Sequence, residues 1–309
     1  MGKRRNRPQS LHHPRYWLTW MAVALFWLIG QLPWSALLFL GRMVGIASWH
    51  FARSRRETAR TNIQICFPEL SAEQQEDLAR RSVISVAEGL TEMAGSYCNR
   101  RIDLSKRLTV SGHEHLVAAQ QSGRGILLLG MHFSTLEVAI RLFAHLTSYS
   151  AVYRPNDNPV LDWLISNGRK HYVKNYINRK DLRGLTRALR KGETVWYAPD
   201  QDYGRKHAVF APFFGHPAAT ITATSRIAKL GNAIVLPIAY YRRAHGHYEI
   251  EFGAPLEDFP SNDDIEDATR TNSIVEHYVR KAPEQYLWVH RRFKHQADGL
   301  PSPYQRRKR

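Results

Sequence analysis

The chain has 309 residues, 43% of them hydrophobic, which is enough to bury one large α/β core without requiring a second domain. With 44 Lys and Arg against 27 Asp and Glu, its formal net charge is +17, so an anionic partner is expected: nucleic acid, acidic protein or an anionic lipid surface. The two cysteines, Cys66 and Cys98, form no C-x-x-C and no Cys/His group at zinc spacing, which argues against a disulfide framework or structural zinc and fits a reducing, cytoplasm-facing compartment.

In chain order, residues 1–15 are a basic leader containing Lys3, Arg4, Arg5 and Arg7. Residues 16–41, YWLTWMAVALFWLIGQLPWSALLFLG, carry no charge, and as one helix they would exceed the ~30 Å hydrocarbon thickness at about 1.5 Å per residue. A membrane-anchoring helix is therefore expected there, with Trp17, Trp20 and Trp34 at interfacial depth and Gln31 and Pro33 favouring a kink or a re-entrant hairpin. The leader also matches the n-region of a signal peptide, but no A-x-A cleavage site follows. Arg42, Arg53, Arg55 and Arg56 lie beyond the segment, so both flanks are basic and orientation stays open.

Residues 42–300 read as one catalytic-sized domain, and 301–309 as a basic tail. A long amphipathic helix from 71 to 97 opens on the Ser71 cap, and a shorter one spans 112–121. Strands and helices then alternate: strand ILLLG ending at Gly130, helix from Ser134, strand SAVY ending at Tyr153, helix from about 159 to 172, helix from 181 to 191, strand TVWYAP, helix from about 219 to 230, and strands AIVLPIAYY and HYEIEF. This order predicts an α/β fold with a mixed, mainly parallel sheet flanked by helices. Ligands of such sheets bind at the carboxyl ends of the strands, where His132, Arg154 and Asp200 would lie.

GMHFSTLEV, at 130–138, sits in a strand-to-helix turn. Two readings of it stay open. Ser134 and Glu137 fit a capping box, leaving His132 a loop histidine, or His132 folds back over the first turn of the helix and meets Glu137 as an acid–base dyad. Serine-elbow catalysis is disfavoured because no G-x-S-x-G occurs, and metallohydrolysis because no H-E-x-x-H occurs and His113 with His115 has no further ligands near it. Acid–base chemistry remains. A histidine whose second ring nitrogen is held by a carboxylate has a fixed tautomer, as removal of a proton from an alcohol requires.

Over nearly its whole length the chain resembles the Kdo-lipid A secondary acyltransferases, the lauroyl and palmitoleoyl acyltransferases of lipid A biosynthesis. The resemblance is carried by LHHPRYWLTW at 11–20, GMHFSTLE at 130–137, VYRPNDNPVLDWL at 152–164, NRKDLRG at 178–184, VWYAPDQDYG at 195–204 and APEQYLWVHRRFK at 282–294. The H-x4-E block is also similar to the H-x4-D/E block of glycerol phosphate acyltransferases, which implies a glycerol-phosphate-acyltransferase-like fold. The resemblance implies that His132 is the general base and Glu137 its orienting partner. It implies an acyl thioester on acyl carrier protein as donor, the hydroxyl of a 3-hydroxyacyl chain on Kdo2-lipid IVA as acceptor, lauroyl as the chain expected, and no metal or organic cofactor. It also implies the cytoplasmic face of a Gram-negative inner membrane, and contact with its lipid. Backbone N–H groups at the start of the Ser134 helix are candidate oxyanion donors.

Other candidates rest on residue type and position. Arg154 suits a substrate phosphate or carboxylate, or a structural ion pair. Asp200 and Asp202 suit the orientation of a substrate or of Arg154, or simply a turn. Arg291 and Arg292 are candidates for holding phosphates beside Trp288, a core residue. Arg169, Lys170, Lys174, Arg179, Lys180 and Arg183 exceed what one solvated helix face needs and suit docking of acyl carrier protein or an anionic headgroup. A glycerolipid acyltransferase acting on lysophosphatidate is the first alternative. The second is a non-enzymatic binder of anionic lipid or nucleic acid, although no nucleic-acid recognition motif is present.

Overall fold

In the computed structural model, which describes residues 11–297 and 300–304, seven strands form one sheet. They are β1 (Leu108–Ser111), β2 (Ile126–Leu129), β3 (Ser150–Tyr153), β4 (Tyr176–Asn178), β5 (Thr194–Tyr197), β8 (Ile234–Arg242) and β9 (Tyr248–Phe252); β6 (Ala208–Phe213) and β7 (His216–Ile221) form a separate antiparallel hairpin. The sheet order is β1-β9-β8-β2-β5-β3-β4. From β8 to β4 neighbouring strands are parallel, whereas β9 returns antiparallel to β8 and β1 follows β9. The mixed, mainly parallel sheet expected from the alternation is thus present. The basic leader lies outside the described residues up to residue 10, as does the tail from residue 305.

β2 reads as an unbroken apolar run because helices cover both faces of the sheet there. Ile126 and Leu128 belong to the main core, with α6 (Leu136–Phe143) packed in it, while Leu127 and Leu129 join Val195, Tyr197, Leu185 and Ile227 in a second core under α8 (Leu182–Arg190) and α9 (Ala223–Gly231). The helix expected from about 219 starts instead at Ala223. Residues 216–221 pair with β6 across Phe214 and Gly215, both at positive φ, as a tight two-residue hairpin turn requires. The β-branched Thr220 and Ile221 fit that strand, and apolarity alone did not separate it from a helix.

Preceding the sheet are α1 (Trp17–Gly30), α2 (Trp34–Phe51), α3 (Arg53–Cys66) and α4 (Ala72–Cys98). Ser71 caps α4 in a reciprocal capping box with Gln74, as its sequence suggested. The uncharged segment expected over 16–41, with a kink or re-entrant hairpin at Gln31 and Pro33, is two helices broken at those residues, where Pro33 has an extended backbone and no N–H to continue the ladder. At 14 and 18 residues, α1 and α2 would be about 21 and 27 Å long. Among the described residues no single helix is long and apolar enough to cross a membrane.

α2 runs antiparallel to α4 with backbones in near contact. A Cβ on Gly41 would come within 2.6 Å of Glu88 Cα, and one on Gly45 within 2.6 Å of Ile84 Cα. α4 is fixed to the sheet in turn by charge: Arg242, at the end of β8, is forked onto buried Glu92 at 2.6 and 2.7 Å and reaches Glu88 at 2.6 Å. Tyr248 Oη donates to Glu92, and Trp34 Nε1 to Tyr248 Oη at 3.0 Å. The Arg242 guanidinium and the two carboxylates satisfy one another, which a buried network needs if it is to be stable. Gly45→Val should therefore lower the thermal unfolding midpoint by the equivalent of about 1–3 kcal/mol of overpacking. A melting temperature equal to wild type in calorimetry would contradict the close α2–α4 approach.

Candidate active site

Strand register brings the site together. Leu129 of β2 lies opposite Tyr197 of β5, and the Gly130 N–H extends the ladder to the Tyr197 carbonyl at 2.8 Å. His132 is three residues past Leu129 and Asp200 three past Tyr197, so two parallel neighbours deliver them side by side at their carboxyl ends. His132 Nδ1 is 2.6 Å from Asp200 Oδ1, and the His132 backbone N–H donates to Asp200 Oδ2 at 2.8 Å. The Asp200 side chain is fully buried, whereas that of His132 is 21% exposed, so the imidazole connects a buried carboxylate to the solvent side. Nδ1–H donates to the carboxylate, leaving Nε2 to take a proton. Burial pushes the Asp200 carboxyl up, but the His132 ring and N–H outweigh it and hold it below its usual range.

Glu137, expected to orient His132, faces elsewhere. Its carboxylate accepts from Arg169 Nε at 2.9 Å, from Arg169 Nη2, and from the Tyr97 hydroxyl at 2.5 Å. This ties the start of α6 to the ends of α4 and of α7 (Pro159–Arg169). The capping box fails as well. α6 begins at Leu136 without a side-chain cap, and Ser134 Oγ instead meets Ser85 Oγ at 2.7 Å. Burial raises the Tyr97 hydroxyl well above its ordinary range, with Glu137 adding to the effect, so it stays protonated as a donor. Burial opposes the charge on Arg169, yet Glu137 more than restores it. Arg169 therefore belongs to this buried pair and not to the docking surface expected of it.

A strap after α10 (Asp264–Lys281) closes over the His132 loop. Leu287 N–H donates to the His132 carbonyl at 3.0 Å, Tyr286 Oη to the Asp200 carbonyl at 3.1 Å, and Ser134 N–H to the Gln285 carbonyl at 2.7 Å. That last bond removes Ser134 N–H from the candidate oxyanion donors. Asn62, on α3, holds the strap through the carbonyls of Trp288 and His290 at 2.6 and 2.7 Å. Burial, helped by the nearby His132, lowers the His290 imidazole to about 4. Trp196 and the His132 ring meet in a T-shaped arrangement with centroids 6.4 Å apart, giving the imidazole an apolar neighbour.

Of the remaining candidates, Asp202 lies in the same loop but serves His295, which donates to it from its backbone N–H at 2.8 Å and pairs through Nδ1 at 2.7 Å. Arg154 is exposed and pairs with Asp157 at 3.2 Å, making no contact with His132 or Asp200 among the described hydrogen bonds. Arg291 is exposed and stacks on Tyr304. Arg292 is buried and donates to the Ala219 carbonyl at 2.8 Å, to Thr220 Oγ1 at 3.1 Å and to Asn272 Oδ1 at 3.4 Å, so it braces the β6–β7 hairpin instead of holding a phosphate. Lys170, Lys174, Arg179, Lys180 and Arg183 are exposed, Lys174 being 3.4 Å from Glu193. No group of His, Cys, Asp and Glu suited to holding a metal occurs among the described residues.

Comparison with known proteins agrees with the sequence blocks. The family model of the bacterial lipid A biosynthesis acyltransferases matches residues 4–295. The chain is 42% identical over 299 residues to a lipid A biosynthesis lauroyltransferase of Escherichia coli K12, covering 96% of this chain and 97% of that one. It is 39% identical over 296 residues to the lipid A biosynthesis palmitoleoyltransferase of the same organism, covering 94% and 96%. A solved 1-acyl-sn-glycerophosphate (LPA) acyltransferase from Thermotoga maritima has 14% identity and a TM-score of 0.37, over 79% of this chain and 95% of that one, a likeness too slight to bear on the fold. The match across the chain and the identity to these relatives make this protein a member of the bacterial lipid A biosynthesis acyltransferase family and an acyltransferase enzyme.

Proposed function

We propose that this enzyme transfers a fatty acyl chain, lauroyl, from an acyl carrier protein thioester to the hydroxyl of a 3-hydroxyacyl chain on Kdo2-lipid IVA, with His132 as general base and Asp200 as its orienting partner. The observation that carries the reading is the double grip of the buried Asp200 carboxylate on His132, through Nδ1 at 2.6 Å and the backbone N–H at 2.8 Å. Nε2 removes the hydroxyl proton as the oxygen attacks the thioester carbonyl. The C–O bond forms, the C–S bond breaks, and the departing thiolate takes the proton back from the imidazolium. Asp200 balances the imidazolium charge while it exists. A thioester is already activated, so an acyl-enzyme is not obligatory. The names of both relatives support an acceptor of lipid A biosynthesis, and the name of the lauroyltransferase relative supports the chain. Exposed Lys170, Lys180 and Arg183 support docking of an acidic carrier protein.

We further propose that the enzyme works on a lipid surface, the cytoplasmic face of a Gram-negative inner membrane, with α1 and α2 lying in one leaflet instead of spanning. Trp17, Leu18, Met21 and Leu25 are 58–78% exposed on α1, and Phe39 and Phe51 are 66% and 87% exposed on α2. Apolar exposure on that scale marks a contact surface, and an anionic bilayer suits a chain of charge +17.

Mass spectrometry of Kdo2-lipid IVA incubated with the protein and acyl carrier proteins of mixed chain length should reveal a gain of one lauroyl group. His132→Ala should slow that gain on the order of 10²–10⁴-fold. A lysophosphatidate acylated in preference to Kdo2-lipid IVA would favour the glycerolipid alternative. Replacing Leu18, Met21 and Leu25 by Glu should release the protein from anionic vesicles in flotation while the melting temperature holds; retention equal to wild type would remove α1 from the contact.

A further inference from the structure

α8 and α9 cover the second core and leave a basic outer face. In the α8 sequence LRGLTRALR, Leu182, Leu185 and Leu189 pack into that core, while Arg183, Arg187 and Arg190, four and three residues apart, share the exposed side. Lys191 continues the row, and Arg226 is exposed on α9. The two helices lie together: Arg190 Nε donates to the Leu230 carbonyl at 2.8 Å, and a Cβ on Gly231 would come within 2.9 Å of Leu189 Cβ. Two further exposed cations, Arg179 and Lys180, precede α8 in the turn after β4.

These cations lack counter-charges within the protein. Across 179–191 and 223–231, all of them described, the acidic residue is Asp181, and its carboxylate caps α8 by accepting the Gly184 N–H at 2.9 Å. The side chains of Arg183, Arg187, Lys191 and Arg226 make no ion pair or hydrogen bond among the described residues. Acidic residues do occur beyond α9, at Glu257, Asp258, Asp263 and Asp264, and Lys229 Nζ donates to Asn262 Oδ1 next to them at 2.7 Å. They bound the face on that side, and Lys229 is left out of it. Like charges four apart on a helix oppose folding, so the natural complement of this row is an external anion.

Placement selects the anion. The buried residues of α2, Trp34, Leu37 and Trp49, belong to the main core, across the sheet from Leu127 and Leu129 under α8 and α9. The apolar helices and the basic face therefore look opposite ways, and a bilayer that receives α1 and α2 leaves α8 and α9 on the aqueous side. The row also begins at the reactive end of the sheet. Arg179 N–H donates to the Tyr153 carbonyl at 3.0 Å, past the carboxyl end of β3, the end at which His132 and Asp200 lie. We infer that the outer face of α8 and α9, with Arg183, Arg187, Arg190, Lys191 and Arg226, docks the acidic carrier protein that brings the acyl thioester, and that Arg179 and Lys180 extend the contact toward the site. The inference rests on the acyl-transfer reading above and assigns the surface on which its donor sits.

Charge reversal reads the contact. One triple variant combines Arg183→Glu, Arg187→Glu and Arg226→Glu. A control triple, Arg100→Glu, Arg101→Glu and Lys106→Glu, changes the net charge equally on exposed residues after α4, where Leu104 joins the main core. Steady-state kinetics should give the first triple a KM for the carrier protein raised on the order of tenfold, because docking charges act on encounter and ground-state binding. Its kcat, its KM for the acceptor and its melting temperature should stay near wild type, as should all four quantities in the control. Added salt should raise the wild-type carrier KM more steeply than that of the first triple. A carrier KM equal to wild type in the first triple, or an equal rise in both triples, would overturn the inference. Release of the first triple from anionic vesicles in flotation would overturn it too, by making the face a bilayer contact. Titration with the carrier protein bearing no acyl chain gives a Kd without turnover. Binding that the first triple weakens, in an enzyme that transfers no acyl chain from the carrier, would keep the surface and sink the acyl-transfer reading; no binding to wild type would overturn the surface itself.

Discussion

The in-register pairing of β2 with β5 is the constraint on which the site depends. It sets Leu129 beside Tyr197, and equal three-residue extensions then carry a histidine and an aspartate to adjacent points past the sheet edge. A one-residue slip would send each side chain to the opposite face. Such a slip is opposed by the two cores, since Leu128 and Leu129 are both fully buried but on opposite sides of the sheet. The same burial that gives β2 its apolar sequence therefore fixes the geometry of the proposed base.

Polar ties hold the loop after β2 from three directions. Asp200 fixes the ring, Leu287 takes the His132 carbonyl, and Ser134 is bonded to Ser85 of α4 and to the Gln285 carbonyl. α4 is itself anchored by the Arg242–Glu92–Glu88 network and carries α2 against Gly41 and Gly45. The helices with the large exposed apolar surface are thus packed, through one helix, against the element that supports His132. Glu137 and Arg169 contribute differently, joining α4, α6 and α7 through a largely buried pair whose disruption would cost about 3–5 kcal/mol.

Much of the fold was legible because local pattern determined it. The ILLLG run, the Ser71 cap and the βα alternation each specify an element without distant information. His132 was legible for the same reason: a polar residue just past a buried strand, before a helix. Its partner was not. Glu137 is close in sequence and Asp200 is 68 residues away, and only strand register shows that the distant carboxylate is the near one. Arg169 and Arg292 carry the same residue code as surface cations, and burial alone distinguishes them. The β6–β7 hairpin was missed because an apolar run such as PAATI suits either structure until its partner strand is known. The break in the uncharged segment was legible too, since Gln31 and Pro33 favour a kink or a re-entrant hairpin and the helix ends there.

The pairing of His132 with Asp200 is tested most directly by a pair of double-mutant cycles on kcat for acyl transfer, combining Asp200→Asn and Glu137→Gln separately with His132→Ala. If Asp200 acts through the imidazole, Asp200→Asn should slow the wild type severely and add little once His132 is absent. Glu137→Gln should lower the melting temperature by the same amount with His132 present or absent. The opposite pattern, with Glu137→Gln silent in the His132→Ala background and Asp200→Asn retaining its full effect there, would contradict the pairing of His132 with Asp200 as the working dyad.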